Sequence, residues 1–240
     1  MVVHKHMLVL VPLAVLLAGC HSDSDDDTLT SSREFRFQVT ITNLTAGQPL
    51  SPAAVVIHTT GWQAFTLGES ASVGLETLAE AGDNSDFIVA ADTDSNVLAA
   101  VSGQGAIVPG ATAQVTATAA ADSQSGLLLT WASMPVNTND AFAIVNAIDI
   151  SGLAVGQSET HLAISYDAGT EANTESADTV PGPAASGLAE GFNADRDDVR
   201  NAVYVHPGVV TQDDGLTTST LSGSQRWDNP MARVDIERLQ

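Results

Sequence analysis

The sequence predicts an all-β protein, an antiparallel β-sandwich of about eight strands with one short helix. Two observations carry that expectation. Short runs rich in β-branched residues recur along the chain, several with period-two apolar alternation, separated by Gly, Pro, Asn and Asp. No regular exchange of strands with helices accompanies them, which sets aside a doubly wound parallel sheet.

The elements follow in order. Residues 34–42 alternate: Phe35, Phe37, Val39 and Ile41 point one way, Arg36, Gln38, Thr40 and Thr42 the other, and Asn43 ends the run. Further strand-like runs lie at Ala54–His58, Asn96–Val101, Ala113–Ala119, Leu127–Met134, Ala141–Ile148, His161–Tyr166, Ala202–His206 and Ala232–Glu237. In the last of these, Val234 and Ile236 are expected inside, Arg233 and Asp235 outside. One segment reads as a helix. In 70–82, Ala71, Leu75, Leu78 and Ala79 recur at helical spacing, Ser70 or Ser72 can cap the start, and Gly82 can stop it. Residues 168–191 form a long loop of Gly, Ala, Pro and acidic residues, and loops of that length in a compact domain are usually functional or disordered.

Charge narrows the partners. The 240 residues carry 8 Lys and Arg against 29 Asp and Glu, a net charge of −21. Nucleic acid is excluded as a partner, because phosphate binding needs clustered basic residues. Cations are the natural partners of such a surface. Cys20 is the only cysteine, so no disulfide can staple the fold.

The N-terminal stretch reads as an export signal. His4, Lys5 and His6 precede an apolar run from Met7 to Leu17, then Leu17-Ala18-Gly19-Cys20, then Asp23, Asp25, Asp26 and Asp27. The apolar run is too short for a stable membrane-spanning helix, which needs about 20 residues. The run ending in Cys20 resembles the bacterial lipoprotein signal. That resemblance implies removal of residues 1–19, acylation of Cys20, and attachment to the membrane through a lipid anchor. Residues 20–33 then form a disordered acidic tether, and 34–240 form the domain. His21, not Asp, follows Cys20, which points to the outer membrane as the location in the cell envelope.

The acids gather in loops. Asp140 precedes one strand-like run, while Asp167 and Glu171 follow another, with Asn173 and Glu175 close behind. If those strands are antiparallel neighbours, the acids meet at one end, and Gly169 permits a tight turn between two of them. A hard cation such as Ca²⁺ takes six to eight oxygen ligands at about 2.3–2.6 Å. Turn chemistry is the competing reading, since Asp and Asn beside strands often bond their own backbone. Asp92-x-Asp94-x-Asn96 opens like an EF-hand loop but has Val97 where Gly is needed and Gly103 where Glu is needed. Asp195-x-Asp197-Asp198 reads as an acidic turn.

No catalytic constellation is present in the sequence. There is no Gly-x-Ser-x-Gly elbow, no spare thiol, and His58, His161 and His206 lie far apart. A non-enzymatic role is expected. The alternative is an envelope hydrolase acting on glycan or ester bonds with an acid pair near Asp140 and Glu171. Trp131 lies inside a strand-like run and reads as core; Trp62 and Trp227 lie in loops and are open to a sugar-stacking platform or to the commoner role of apolar anchors covering the sandwich ends.

A set of ordered motifs resembles the spondin N-terminal domain family, in its bacterial lipoprotein branch. It comprises Phe37–Leu44, Pro49, Pro52 and His58; then Gly68-Glu69-Ser70-Ala71-Ser72, Gly74-Leu75, Leu78-Ala79-Glu80 and Gly82-Asp83. It continues with Pro109-Gly110, Thr138-Asn139-Asp140-Ala141-Phe142 and Tyr166-Asp167-Ala168-Gly169-Thr170-Glu171. His206-Pro207-Gly208, Arg226-Trp227-Asp228-Asn229-Pro230 and Ala232-Arg233-Val234 complete it. The resemblance implies an antiparallel sandwich similar to calcium-binding sandwiches that dock on lipids, with a Ca²⁺ site at one end. Asp140, Asp167 and Glu171 match the family's acids. The family's upstream Glu has no matched position, Asp122 being the nearest acid, and the disulfides of the animal members are absent. Those members are secreted adhesion proteins that bind matrix, receptors or microbial glycolipid. The function implied here is a non-catalytic, calcium-supported binding or adhesion module whose ligand is a glycan or a surface protein.

Overall fold

The computed structural model describes residues 32–185 and 191–240. The expected signal peptide 1–19, Cys20 and nearly all of the expected tether 20–33 lie outside the described residues. Among the described residues, nine strands and two α-helices follow one another. They are β1 (Arg33–Asn43), β2 (Ala54–His58), α1 (Val73–Ala81), α2 (Ser85–Asp92), β3 (Val97–Ser102) and β4 (Thr112–Ala121). Then come β5 (Leu128–Ser133), β6 (Ala141–Asp149), β7 (Ser158–Asp167), β8 (Tyr204–Val205) and β9 (Ala232–Arg238). The protein is all-β, and every pairing between named strands is antiparallel.

The sheet runs β3-β2-β5-β6-β7-β9-β1-β4, with β8 added to β7. β7 holds the two halves together by changing partner along its length. Ile164–Asp167 pair with β6, whereas Ser158–Ala163 pair with β9. The ends of the order, β3 and β4, lie against one another, so the layers expected of a sandwich are here joined into one nearly closed sheet.

Side-chain alternation decides which core each strand feeds. Phe37, Val39 and Ile41 of β1, Val234 and Ile236 of β9, and Trp131 of β5 fill the space enclosed by the sheet. Arg233 is exposed and Asp235 half-buried on the opposite face of β9. β2 shows no alternation because both of its faces are covered. Val55 and Ile57 enter the enclosed core, while Val56 joins a second core under the helices. Each large aliphatic or aromatic side chain so buried contributes about 1.5–3 kcal/mol.

α1 forms where its signals predict. The Ser72 hydroxyl accepts the Leu75 amide, Gly82 closes the helix at φ 68°, and Leu75, Leu78 and Ala79 are buried against the sheet. α2 is an addition to the single helix expected. It buries only Phe87 and Ala91, and the Asn84 side chain makes no cap hydrogen bond. Instead Asn84 donates to the Pro52 carbonyl and accepts from Ser102, which pins the helix start to the sheet.

Candidate functional site

Strand register assembles the site. Ala141, the first residue of β6, stands opposite Asp167, the last of β7. Asp140 and Asp167 therefore finish at the same end of the sheet, as the spacing predicts. The chain then turns at Gly169, φ 69°, where a Cβ would collide with the Ala202 backbone. Only glycine fits that close approach. The turn wraps the backbone around one oxygen of Asp140. Oδ2 accepts the Thr170 amide at 2.8 Å, the Glu171 amide at 3.1 Å and the Thr170 hydroxyl at 3.3 Å. Oδ1 of the same carboxylate is buried and has no partner.

Asp167 is equally enclosed. Its Oδ1 accepts the Gly169 amide and its Oδ2 the Asn173 side-chain amide at 2.7 Å. His206 Nε2 lies 3.8 Å from Oδ2. The Gly208 amide donates to His206 Nδ1, so the ring proton sits on Nε2 and faces Asp167. Burial holds His206 down at about 4, which keeps the ring neutral.

Glu171 sits deeper than a turn residue would. Its Oε2 accepts from Asn139 Nδ2, which also donates to Thr179. Asn139 Oδ1 accepts the Glu175 amide, so one buried asparagine holds two acids in place. Glu175 is buried at φ 54°, a conformation unusual for a residue with a side chain; its Oε1 accepts the Val210 amide and its Oε2 has no partner. Such strain tends to persist where function requires it.

The structure adds Glu80, which the sequence reading left without a role. It lies on α1, 1% exposed, with Oε2 accepting the Asn193 amide and Oε1 unpartnered. Glu80 is the carboxyl whose charge acts most on Glu171, while Asp167 acts most on Asp140. The three expected ligands thus fall into two interacting pairs, Asp140 with Asp167 and Glu171 with Glu80. Among the described residues, no three His, Cys, Asp or Glu side chains stand where they could together hold one metal ion.

Electrostatics set the chemistry. Burial, and then the neighbouring Asp167, push Asp140 up to about 8. Burial, and then Glu80, push Glu171 up to about 8, and burial raises Glu175 to about 7. Asp167 and Glu80 are raised too, chiefly by burial. Among the described residues no arginine pairs with Asp140, Asp167, Glu171 or Glu175. Burial among other carboxyls favours the protonated, uncharged form of each acid.

The remaining candidates disperse. His58 bonds the Thr59 carbonyl and the Thr130 hydroxyl inside the sheet, and His161 lies on β7 beside Glu159. Trp131 is core. Trp227 donates to the Ser165 hydroxyl and packs on the His206 ring, 5.2 Å between centroids, so it roofs the acidic end. Asp198 accepts the Arg200 amide, the turn role expected of it, whereas Asp197 accepts the Ala172 amide, 25 residues away in the acidic loop. Trp62 is half-buried in a separate cleft. No protein-family model and no curated protein matches this chain.

Proposed function

We propose that the protein is a lipid-anchored binding module of the cell envelope, a spondin-like domain that takes Ca²⁺ at the acidic end of its sheet and does not transform its ligand. The observation that carries the cation reading is the unpartnered Oδ1 of fully buried Asp140. An acceptor left buried without a donor costs about 1–3 kcal/mol, and a hard cation removes that cost. Asn173 Oδ1 and Glu175 Oε2 are further unpartnered oxygens on the loop after β7, and Glu80 Oε1 on α1 is another. The set is all oxygen, as Ca²⁺ prefers. His206 presents a proton, not a lone pair, and is no ligand.

Asp140, Asp167 and Glu171 are the side chains assigned to hold the ion, with Glu80 as the further carboxyl that acts on Glu171. Bound Ca²⁺ supplies positive charge that holds the carboxylates ionised and ties the β6 and β7 ends to the 168–179 loop. That ordered loop face is the surface offered to a glycan or surface-protein ligand, the latter part resting on the spondin resemblance. Anchoring rests on Cys20. Cys20→Ser is expected to release the protein from membranes, and membrane association that survives a salt wash in that variant refutes the anchor.

Calorimetric titration of chelator-treated protein at moderate salt tests the site. Ca²⁺ is expected to bind, and Mg²⁺ more weakly, because it demands a tighter octahedron and dehydrates reluctantly. Asp140→Asn and Glu171→Gln are each expected to weaken uptake. No uptake at millimolar Ca²⁺, or a double variant that binds like the parent, overturns the reading.

A further inference from the structure

A second cleft lies away from the acidic end, between the 59–72 loop and α2. It measures about 310 Å³ and is lined by Trp62, Phe87, Ala90, Ala91 and Asp94, with Gln63 and Ser72 at its margin. That is the small end of the range for ligand pockets, about 300–1,000 Å³. Two small residues of α2 make the space, Ala91 at its base and exposed Ala90 at its mouth.

We propose that this cleft is a binding site for a small organic cation of the methylated-ammonium class.

Three features of the lining favour positive charge. Trp62 is the aromatic side chain whose face best attracts a cation. Its ring is fixed by edge contacts with His58, 4.7 Å between centroids at 61°, and with Phe87, 6.1 Å at 70°. Asp94 supplies a carboxylate. Both of its bonds to Asn96 go to Oδ1, which leaves Oδ2 for a ligand. The third feature is the carbonyl end of α2. Ala90 and Ala91 already accept from Thr93 and Asp94, yet the aligned peptide dipoles keep this end negative, and the last turn carries no basic residue.

Nothing in the lining opposes that charge. No Arg, Lys or His belongs to it. His58, packed against Trp62, is held below its ordinary value by burial, which disfavours its charged form. A sugar would need several convergent donors. The Gln63 amide instead donates to Thr66, and the Ser72 hydroxyl is engaged at the start of α1. The Asp92-x-Asp94-x-Asn96 motif finds its role here. It is an Asx turn closing α2, and its middle acid faces the cleft instead of forming an EF-hand.

The test is calorimetric titration of the full chain with choline, with its uncharged isostere 3,3-dimethylbutan-1-ol, and with glucose. Choline is expected to bind, and the isostere at least about tenfold more weakly, the measure of the charge. Asp94→Asn keeps the oxygen that Asn96 needs and is expected to weaken choline about tenfold. Ala90→Lys, at an exposed helical position, is expected to abolish binding with the melting curve unchanged. Sedimentation with phosphatidylcholine vesicles separates the sources. Capture of the vesicles places the lipid headgroup among the ligands, and free choline alone places the ligand in solution. Equal binding of the isostere, binding of glucose only, or no binding at millimolar choline overturns the proposal.

Discussion

The Asp140 carbonyl accepts the Ala168 amide at 3.0 Å, one residue beyond Asp167 in the strand that pairs with β6. The backbone bond fixes what the side chains cannot avoid. Two carboxyls, one from each strand, are brought to the same buried end, and each disfavours ionisation of the other. The ladder supplies the energy that holds them there.

Metal-free protein should lose stability as pH rises. Asp140 titrates at about 8 in the fold against an ordinary value of 3.8. Between those values the folded state keeps a proton that the unfolded chain has released. The contribution is complete below 3.8 and is lost as pH rises through about 8, at up to about 1.4 kcal/mol per pH unit for each retained proton. Glu171 and Glu175, raised to about 8 and about 7, act in the same direction. Melting of chelator-treated protein across this window is expected to fall, and saturating Ca²⁺ to flatten the profile by binding the folded state alone. A flat metal-free profile refutes the raised carboxyls.

Asp140→Asn isolates one group of that cluster. Asn keeps an oxygen for the Thr170 and Glu171 amides and presents an amide where Oδ1 has no partner. At the alkaline end of the window the variant is expected to be more stable than metal-free parent by about 1–3 kcal/mol, and to gain less from Ca²⁺. Urea unfolding with and without Ca²⁺ reads both effects. A variant that loses stability without metal and keeps the full Ca²⁺ response contradicts the cation reading.

Gly169→Ala should damage fold and site together. The position sits at φ 69° with the Ala202 backbone against the missing Cβ. The strained backbone alone costs about 1–3 kcal/mol, and the clash adds to it. The turn delivers both amides to Asp140, so calorimetry is expected to find Ca²⁺ uptake reduced in the fraction that still folds. Parent-like urea unfolding would show that the turn can move aside.

What the sequence made legible follows from these contacts. β1 and β9 alternate because each has one face in the enclosed core, and the expected faces of Val234 and Ile236 agree with their burial. α2 escaped notice because it buries two residues only and its Asn84 spends its side chain on Pro52 and Ser102, so neither periodicity nor cap announces it. Asp140 and Asp167 were readable as neighbours because strand order alone brings them together. Glu80 was not, because a helical glutamate ordinarily faces water. Its signal lay in position: Glu76 and Glu80 each follow a residue of the apolar face, Leu75 and Ala79, and both are buried. The partner of Glu76, Arg196, stands 120 residues away, beyond any local pattern.

Removing β9 should abolish cooperative folding. The strand is central, with β7 on one edge and β1 on the other, and it carries Val234 and Ile236 into the core. A chain cut after Trp227 leaves two strand edges without partners and the enclosed core open. Its thermal unfolding, followed by circular dichroism, is expected to lack a sharp transition. A truncated chain that melts like the full one would show that β9 is an ornament on the sheet.

Arg196→Met should be among the costlier single changes outside the core. The guanidinium grips both oxygens of Glu76, the Ala71 carbonyl and Asn201 Oδ1, and so ties the segment after residue 191 to α1. Glu76 is buried, and without its partner it becomes an uncompensated charge. Breaking a buried pair from one side costs about 3–5 kcal/mol, and the partial exposure of Arg196 places this case near about 3 kcal/mol. Glu76→Gln combined with Arg196→Met removes the lone charge and is expected to recover more than half of that loss, a non-additivity that urea unfolding of the four proteins measures directly. The Glu80 side of the cluster supplies a second readout. The 191–203 segment donates the Asn193 amide to Glu80, so loosening it is expected to reduce Ca²⁺ uptake as well. A loss below about 1 kcal/mol would instead class the pair with solvent-screened surface bridges.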